Sequence, residues 1–266
     1  MTKTILITGA SSGFGQAMAA HLGARGHRVF GTSRRPAGAQ GTARMLALDV
    51  TDDASVASCV RAVLEAAGRI DVLVNNAGVG LCGAVEDTSP DEARAQFDTN
   101  FFGPVRMIHA VLPAMRAQGE GRIITIGSLA GHAALPFQPY YSASKFALEG
   151  LNEALRLELA DTCIQSTMIC PGDFRTGFTA ARVFSAQARA GANAARLERA
   201  LAIFERDENA GADPALVAEL VARLIEAPAL RQRYLVGRWD QRFGISLKRV
   251  LPAEVFRKLM RNIYKV

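Results

Sequence analysis

The amino-acid sequence predicts an α/β chain built on a doubly wound, parallel, seven-stranded sheet with helices on both faces. Three observations predict it. Short apolar runs alternate with helical patterns along most of the 266 residues, as βαβ units require. Most of those runs are β-branched or leucine-rich and apolar on both faces, as a sheet covered on each side demands. The first run also ends in a glycine-rich turn that opens a helix.

Strands are expected at 4–8, 28–32, 45–48, 72–75, 122–126, 166–169 and 233–236, and helices at 13–25, 53–66, 91–116, 142–159 and 216–225. Asp213-Pro214 reads as a helix start, an N-cap aspartate followed by a first-turn proline. Residues 174–211 break the alternation, are rich in Ala and Arg, and stand where a helical substrate lid would be inserted. The expected division is a catalytic unit over 1–240, lid included, and a basic amphipathic tail over 241–266.

Composition narrows the function. The chain is 49% hydrophobic and 21% charged, enough for one large core. No apolar run spans a bilayer, and no signal-peptide pattern precedes the first strand. Cys59, Cys82, Cys163 and Cys170 are widely separated, without metal or redox spacing, which points to reduced, structural thiols and a cytoplasmic protein. The net charge of +6 is the charge of the stretch from Arg242 onward, seven cations against Glu254. A local basic tail is not the basic, aromatic-interleaved surface of a nucleic-acid binder, so no nucleic-acid partner is expected.

Chemistry enters at the first turn. Thr8-Gly-Ala-Ser-Ser-Gly-Phe-Gly15 lies between strand and helix, in the position of a dinucleotide (Rossmann) fingerprint. Gly9 permits the tight exit, Gly13 lets backbone approach a pyrophosphate, and Gly15 lets helix and strand pack closely. Ser11, Ser12 and Phe14 fill the turn, whose phosphates would sit on the helix N-terminus. The second strand runs into Arg34-Arg35 with no acid in reach. An NAD site places an acid there and an NADP site cations, so Arg34 favours a 2′-phosphate and NADP(H).

Thr8-Gly9-x-x-x-Gly13-x-Gly15, Asn75-Asn76-Ala77-Gly78, Asn100, Ser128, Tyr141-Ser-Ala-Ser-Lys145 and Pro171-Gly172 occur in the order and spacing of one family. On these motifs the sequence resembles the short-chain dehydrogenase/reductases over about residues 3 to 240. Phe30-Gly-Thr-Ser-Arg34 and Asp98-Thr-Asn-Phe-Phe-Gly-Pro104 are similar to its single-domain, NADP-preferring branch of retinol and hydroxysteroid dehydrogenases and bacterial carbonyl reductases.

The resemblance implies further roles. Asp49, followed by Val50, would meet the adenine amino group. Asn75 and Ala77, with Asn76 and Gly78 beside them, would line the cofactor. Asn100 would sit at a helix kink and hold a water leading to Lys145, and Thr176, beyond Pro171 and Gly172, would reach the carboxamide. It also implies a homodimer or homotetramer through the helices around Asn100 and Tyr141.

The expected catalytic set is Asn100, Ser128, Tyr141 and Lys145. Tyr141 and Lys145 are four apart, on one helix face, so the ammonium is expected to lower the phenol pKa. Ser128 would hold the substrate oxygen while the nicotinamide carries the hydride. No metal site is expected, and His109 and His132 read as structural. Asn76 also has the plainer reading of stabilising its own turn.

Leu81, Cys82, Leu135, Pro136, Phe137, Tyr140, Phe174, Phe178, Val183 and Phe184 are expected around an apolar alcohol, ketone or aldehyde. A second reading has several of them packing the lid on the sheet. In the tail, Val255, Phe256, Leu259, Met260 and Ile263 recur at helical spacing opposite Arg257, Lys258, Arg261 and Lys265. That stripe packs on the chain's own body or another subunit, or rests on an anionic membrane. The rival functions are an NADP(H)-binding redox-sensing regulator without turnover, and a sugar-nucleotide epimerase or dehydratase. The full catalytic set argues against the first. The short C-terminal region and the glycine spacing argue against the second.

Overall fold

The computed structural model describes residues 1–36, 42–178 and 180–266. Its elements run β1 (Thr4–Ile7), α1 (Gly13–Ala24), β2 (Arg28–Ser33), β3 (Arg44–Ala47), α2 (Asp53–Ala67), β4 (Val72–Asn75), β5 (Leu81–Cys82) and α3 (Pro90–Phe97), then a π-helical turn (Asp98–Phe102) into α4 (Gly103–Gln118). β6 (Gly121–Ile126), α5 (Pro139–Glu158), β7 (Ile164–Pro171), β8 (Val183–Phe184), α6 (Ala194–Asn209), α7 (Ala215–Glu226), β9 (Arg233–Val236), α8 (Trp239–Val250) and α9 (Ala253–Tyr264) follow.

Seven strands form one parallel sheet in the order β3-β2-β1-β4-β6-β7-β9, as the alternation of elements predicts. Two cores sandwich it. On one face Met18 and Leu22 of α1 and Val217, Val221 and Leu224 of α7 pack on Ile5, Ile7, Val72, Val74 and Ile124. On the other, Val56 and Val60 of α2, Met107, Val111 and Met115 of α4 and Leu155 of α5 pack on Leu6, Phe30, Leu73 and Ile123. Strand order reverses between β1 and β4, and the carboxyl ends of strands at such a switch open into the crevice where α/β sheets bind ligands.

The structure divides the helix expected over 91–116. Ser89 and Glu92 close a capping box at Pro90, and the π turn separates α3 from α4. An extra residue per turn there rotates Asn100 inward, where it is buried. α5 starts at Pro139 rather than 142, because the proline takes the first helical turn, so Tyr141 is already helical.

Residues from Phe174 to Gly211 form β8 and α6 and bridge back to the body at Phe174–Ala212. β8 pairs with β5 in a separate parallel pair. Leu197, Ala200, Leu201 and Phe204 of α6 enclose a small core with Cys82 and Ala188; residue 179 of this stretch lies outside the described residues. α9 leans on α6, with the Tyr264 and Phe204 ring centroids 5.0 Å apart. Among the described residues no helix is long and apolar enough to cross a membrane.

Candidate active site

The carboxyl ends of β1, β2, β4, β6 and β7 open into one cavity of about 1050 Å³. Gly9, Ser11, Ser12, Gly13, Phe14, Arg34, Asp49, Val50, Asn76, Ala77, Gly78, Ser128, Tyr141, Lys145, Pro171, Gly172 and Thr176 all stand in its wall. Gly15, Asn75 and Asn100 do not. Gly15 lies beneath the turn, where a Cβ would meet the Gly9 carbonyl at 2.2 Å. Asn75 is buried at the end of β4, and its amide atoms have no hydrogen-bond partner.

The turn after β1 is held by side chains across the switch point. The Thr8 hydroxyl accepts from Asn76 N and Ala77 N, both at 2.9 Å. Asn76 Nδ2 donates to the Thr8 and Gly9 carbonyls at 2.9 and 3.0 Å. Asn76 therefore both stabilises the turn and faces the cavity. Gly9 and Gly13 have φ of +66° and +53°, a region side chains disfavour. The amides that open α1 receive no side-chain cap from Ser12, and its first turn holds no acid. These amides, the tight backbone at Gly9 and Gly15, and the open cavity in front of them fit a dinucleotide pyrophosphate.

At the end of β2, Arg34 is exposed on the cavity rim. Asp49 accepts from Thr51 N at 2.9 Å and Thr51 Oγ1 at 2.7 Å. Those hydrogen bonds hold its carboxyl below the usual range, helped by the charges of Arg34 and Arg106. Asp49 is therefore an anion held by the two donors of Thr51, while Arg34 is exposed at the rim.

Tyr141 and Lys145 occupy one face of α5, with Lys145 Nζ 5.8 Å from the Tyr141 ring centroid. Nζ donates to the Ile126 carbonyl at 2.8 Å. Burial pulls the Lys145 ammonium down to about 8. The expected lowering of the Tyr141 phenol by that ammonium is not what the structure shows. Burial pushes the phenol up to about 12, and the hydrogen-bonded Ser128 hydroxyl pulls weakly the other way. Desolvation of the charged phenolate outweighs the pull of a cation whose charge is turned toward a carbonyl. Ser128 Oγ also accepts from Ala130 N at 3.0 Å, fixing its rotamer at the end of β6.

Asn100 works one layer back. Its Oδ1 accepts from Val79 N at 2.8 Å, and its Nδ2 donates to the Val79 carbonyl at 2.9 Å and to Ser144 Oγ at 3.4 Å. The amide clamps the segment after β4 against α5.

Of the apolar residues expected around a substrate, Leu135, Phe174, Phe178 and Val183 reach the wall. Cys82, Phe137 and Phe184 pack inside the small core beneath α6 instead. Alternation along a strand separates Val183 from Phe184. The Tyr141 and Phe178 rings lie 5.7 Å apart. α8 and α9 complete the wall with Gly244, Ile245, Phe256, Leu259, Met260, Ile263 and Tyr264. The amphipathic stripe of α9 was visible in the sequence; its destination over the cavity was not.

Sequence reasoning also missed two polar groups. Asp173 lies in the wall, receives the Gln241 side-chain amide, and is pushed up to about 6 by burial and by Glu208. Behind Lys145, His132 Nε2 lies 3.3 Å from Glu149 Oε1, Cys170 Sγ donates to Glu149 Oε1 at 3.1 Å, and Arg233 Nε lies 3.1 Å from Glu149 Oε2. The available signal was spacing: Tyr141, Lys145 and Glu149 recur every four residues.

The profile of the short chain dehydrogenase family matches residues 3–186. The chain is 41% identical over 265 residues to a 3-ketodihydrosphingosine reductase of Bacteroides thetaiotaomicron, covering 99% of this chain and 98% of that one. It is 40% identical over 195 residues to human 17-beta-hydroxysteroid dehydrogenase type 1, covering 67% of this chain and 59% of that one. Among solved structures, a short-chain dehydrogenase from Streptomyces avermitilis superposes with a TM-score of 0.83 at 34% identity, covering 99% of this chain and 96% of that one.

Proposed function

The chain belongs to the short-chain dehydrogenase/reductase family of oxidoreductases, and from that premise we propose that it interconverts an alcohol and a ketone or aldehyde on an apolar substrate with NADP(H). The carrying observation is that Ser128, Tyr141 and Lys145 meet in one wall between the glycine turn and an apolar end formed by Phe178, Phe256 and Leu259. Arg34 on the rim supports the 2′-phosphate and so NADP(H) over NAD(H). Relatives named for a keto substrate and for a hydroxysteroid support the ketone–alcohol pair.

A bound nicotinamide supplies the hydride. The residues of this chain supply position and a proton. Gly9, Ser11, Ser12, Gly13 and Phe14 would hold the pyrophosphate, with Gly15 packed beneath them, and Asp49 and Val50 would hold the adenine. Asn76, Ala77 and Gly78 would line the middle of the cofactor, and Pro171, Gly172 and Thr176 would hold its nicotinamide end. Ser128 hydrogen-bonds the substrate oxygen. In reduction Tyr141, held protonated by burial, donates its proton to that oxygen; oxidation returns it. Lys145 serves as the adjacent charged donor, and Asn100 positions the Val79 segment and α5. Exposed Phe102, Phe146 and Leu157 on the outer helices support a homo-oligomer through that side.

The test follows NADPH consumption with ketones and aldehydes graded from small and polar to large and apolar, NADH in parallel. Turnover is expected with NADPH and apolar carbonyls, and Tyr141→Phe is expected to lose about 10²–10⁴-fold while still binding NADPH. Tight NADPH binding without turnover across the panel would replace this reading with that of a regulator.

A further inference from the structure

The two C-terminal helices leave an apolar edge in solvent beside the cavity. On α8, Trp239, Phe243 and Val250 are 74%, 58% and 76% exposed. At about 100° per residue these three fall on one strip of the helix. The other side of α8 contributes Gly244 and Ile245 to the cavity wall. On α9 no residue is fully buried. Tyr264 turns onto Phe204 of α6, while Val255, Leu259 and Ile263 stay exposed along the adjoining edge. Leu259 and Ile263 also line the cavity, so the exposed edge of α9 and the cavity rim are continuous.

Cations flank both strips. The same helical arithmetic places Arg242 and Arg249 beside the α8 strip and Lys258 nearest the α9 edge, all exposed, with Arg261 on the far side of α9. From Trp239 onward seven cations face Asp240 and Glu254. An isolated apolar side chain on a surface means little, but exposed apolar strips flanked by an excess of cations mark an interaction site.

We propose that α8 and α9 form a docking surface for an anionic lipid bilayer, inserting Trp239, Phe243, Val250, Val255, Leu259 and Ile263 at the headgroup boundary with the cavity rim against the membrane. Charge decides the occupant. Pairing this face with a second copy would bring two strongly cationic surfaces together, whereas an anionic bilayer draws in each Lys and Arg near its surface. Tryptophan is also suited to that depth, with an apolar ring and one polar N–H. The surface stands apart from the reaction proposed above. Where that reaction holds, an apolar substrate enters the cavity from the bilayer without crossing water.

The experiment uses the full chain and its one tryptophan, Trp239, as reporter. Emission and sedimentation are measured with vesicles of pure phosphatidylcholine and with vesicles carrying phosphatidylglycerol. The expected result is a blue shift and co-sedimentation with the anionic vesicles only. An Arg249→Glu/Lys258→Glu variant, at two exposed positions, is expected to bind about tenfold or more weaker at unchanged melting temperature. Absence of association with both vesicles, or equal association with both, overturns the proposal. So does a blue shift that needs no vesicles and follows a concentration-dependent doubling of mass, which assigns the face to a second copy. Activity on a water-soluble ketone without lipid is assayed separately, so failure of the reaction and failure of the docking surface are told apart.

Discussion

Lys145 Nζ donates to the carbonyl of Ile126 at 2.8 Å while lying 5.8 Å from the centre of the Tyr141 ring one helical turn away. One side chain is thus tied to the end of β6 and aimed past the phenol, in a place dry enough to pull its ammonium down to about 8 and push the phenol up to about 12. The pair titrates in the order lysine first, tyrosine second, the reverse of what a charged lysine beside an exposed tyrosine would give.

That order sets the pH profile. Tyr141 keeps its proton throughout the neutral range, so the proton needed for reduction is present. The group that changes is Lys145, which is charged below about 8 and neutral above it. The rate of carbonyl reduction is therefore expected to fall as pH rises through about 8. A Lys145→Arg variant, always charged, is expected to be slower but to keep its rate to about pH 10. A wild-type profile flat to pH 10 would remove Lys145 from this role.

Arg34 is expected to set cofactor choice. Arg34→Ala removes the planar cation at the rim and leaves the glycine turn untouched. The Michaelis constant for NADPH is expected to rise about 10–100-fold, the loss of one charge-assisted contact, with that for NADH unchanged. Equal losses for both cofactors would place Arg34 in folding of the rim instead.

Gly15 is expected to be intolerant for a packing reason. A new methyl would stand 2.2 Å from the Gly9 carbonyl, 2.7 Å from Asn76 Nδ2 and 2.8 Å from Ala10 Cα, and two of these are backbone. Gly15→Ala is expected to cost about 1–3 kcal/mol of stability and to abolish the thermal shift that NADPH produces. Gly150→Ala on α5, where the methyl meets nothing within 4 Å, is expected to match or exceed the wild-type melting temperature.

Asp173 carries a cost that pH can reveal. Its carboxyl titrates at about 6 in the folded chain against about 4 when unfolded. The folded chain therefore binds the extra proton between these values, so stability falls as pH rises through that window and the deficit persists at neutral pH. Asp173→Asn keeps an acceptor for Gln241 without the charge. It is expected to raise stability by about 1–3 kcal/mol at pH 7.5 and to leave it unchanged at pH 4. A drop in melting temperature at both values would show that the carboxylate stabilises the wall.

The sequence by itself determined what local spacing encodes. The parallel sheet, the glycine turn, Tyr141 and Lys145 on one helix face, and the amphipathic stripe at 252–265 were all legible there, because period and turn chemistry are properties of neighbours along the chain. Tertiary structure decided whatever depends on residues distant in sequence. Thr8 meets Asn76 and Ala77 across the switch point, the π turn sends Asn100 to Val79 rather than to the cavity, and α9 folds back onto α6. Val183 faces the cavity while Phe184 does not, because that depends on which side of the β5–β8 pair the lid covers. The protonation order of Tyr141 and Lys145 belongs to this second group as well. Spacing places two side chains on one face, but only the packed surroundings fix how much water each retains, and desolvation outweighs their mutual attraction here.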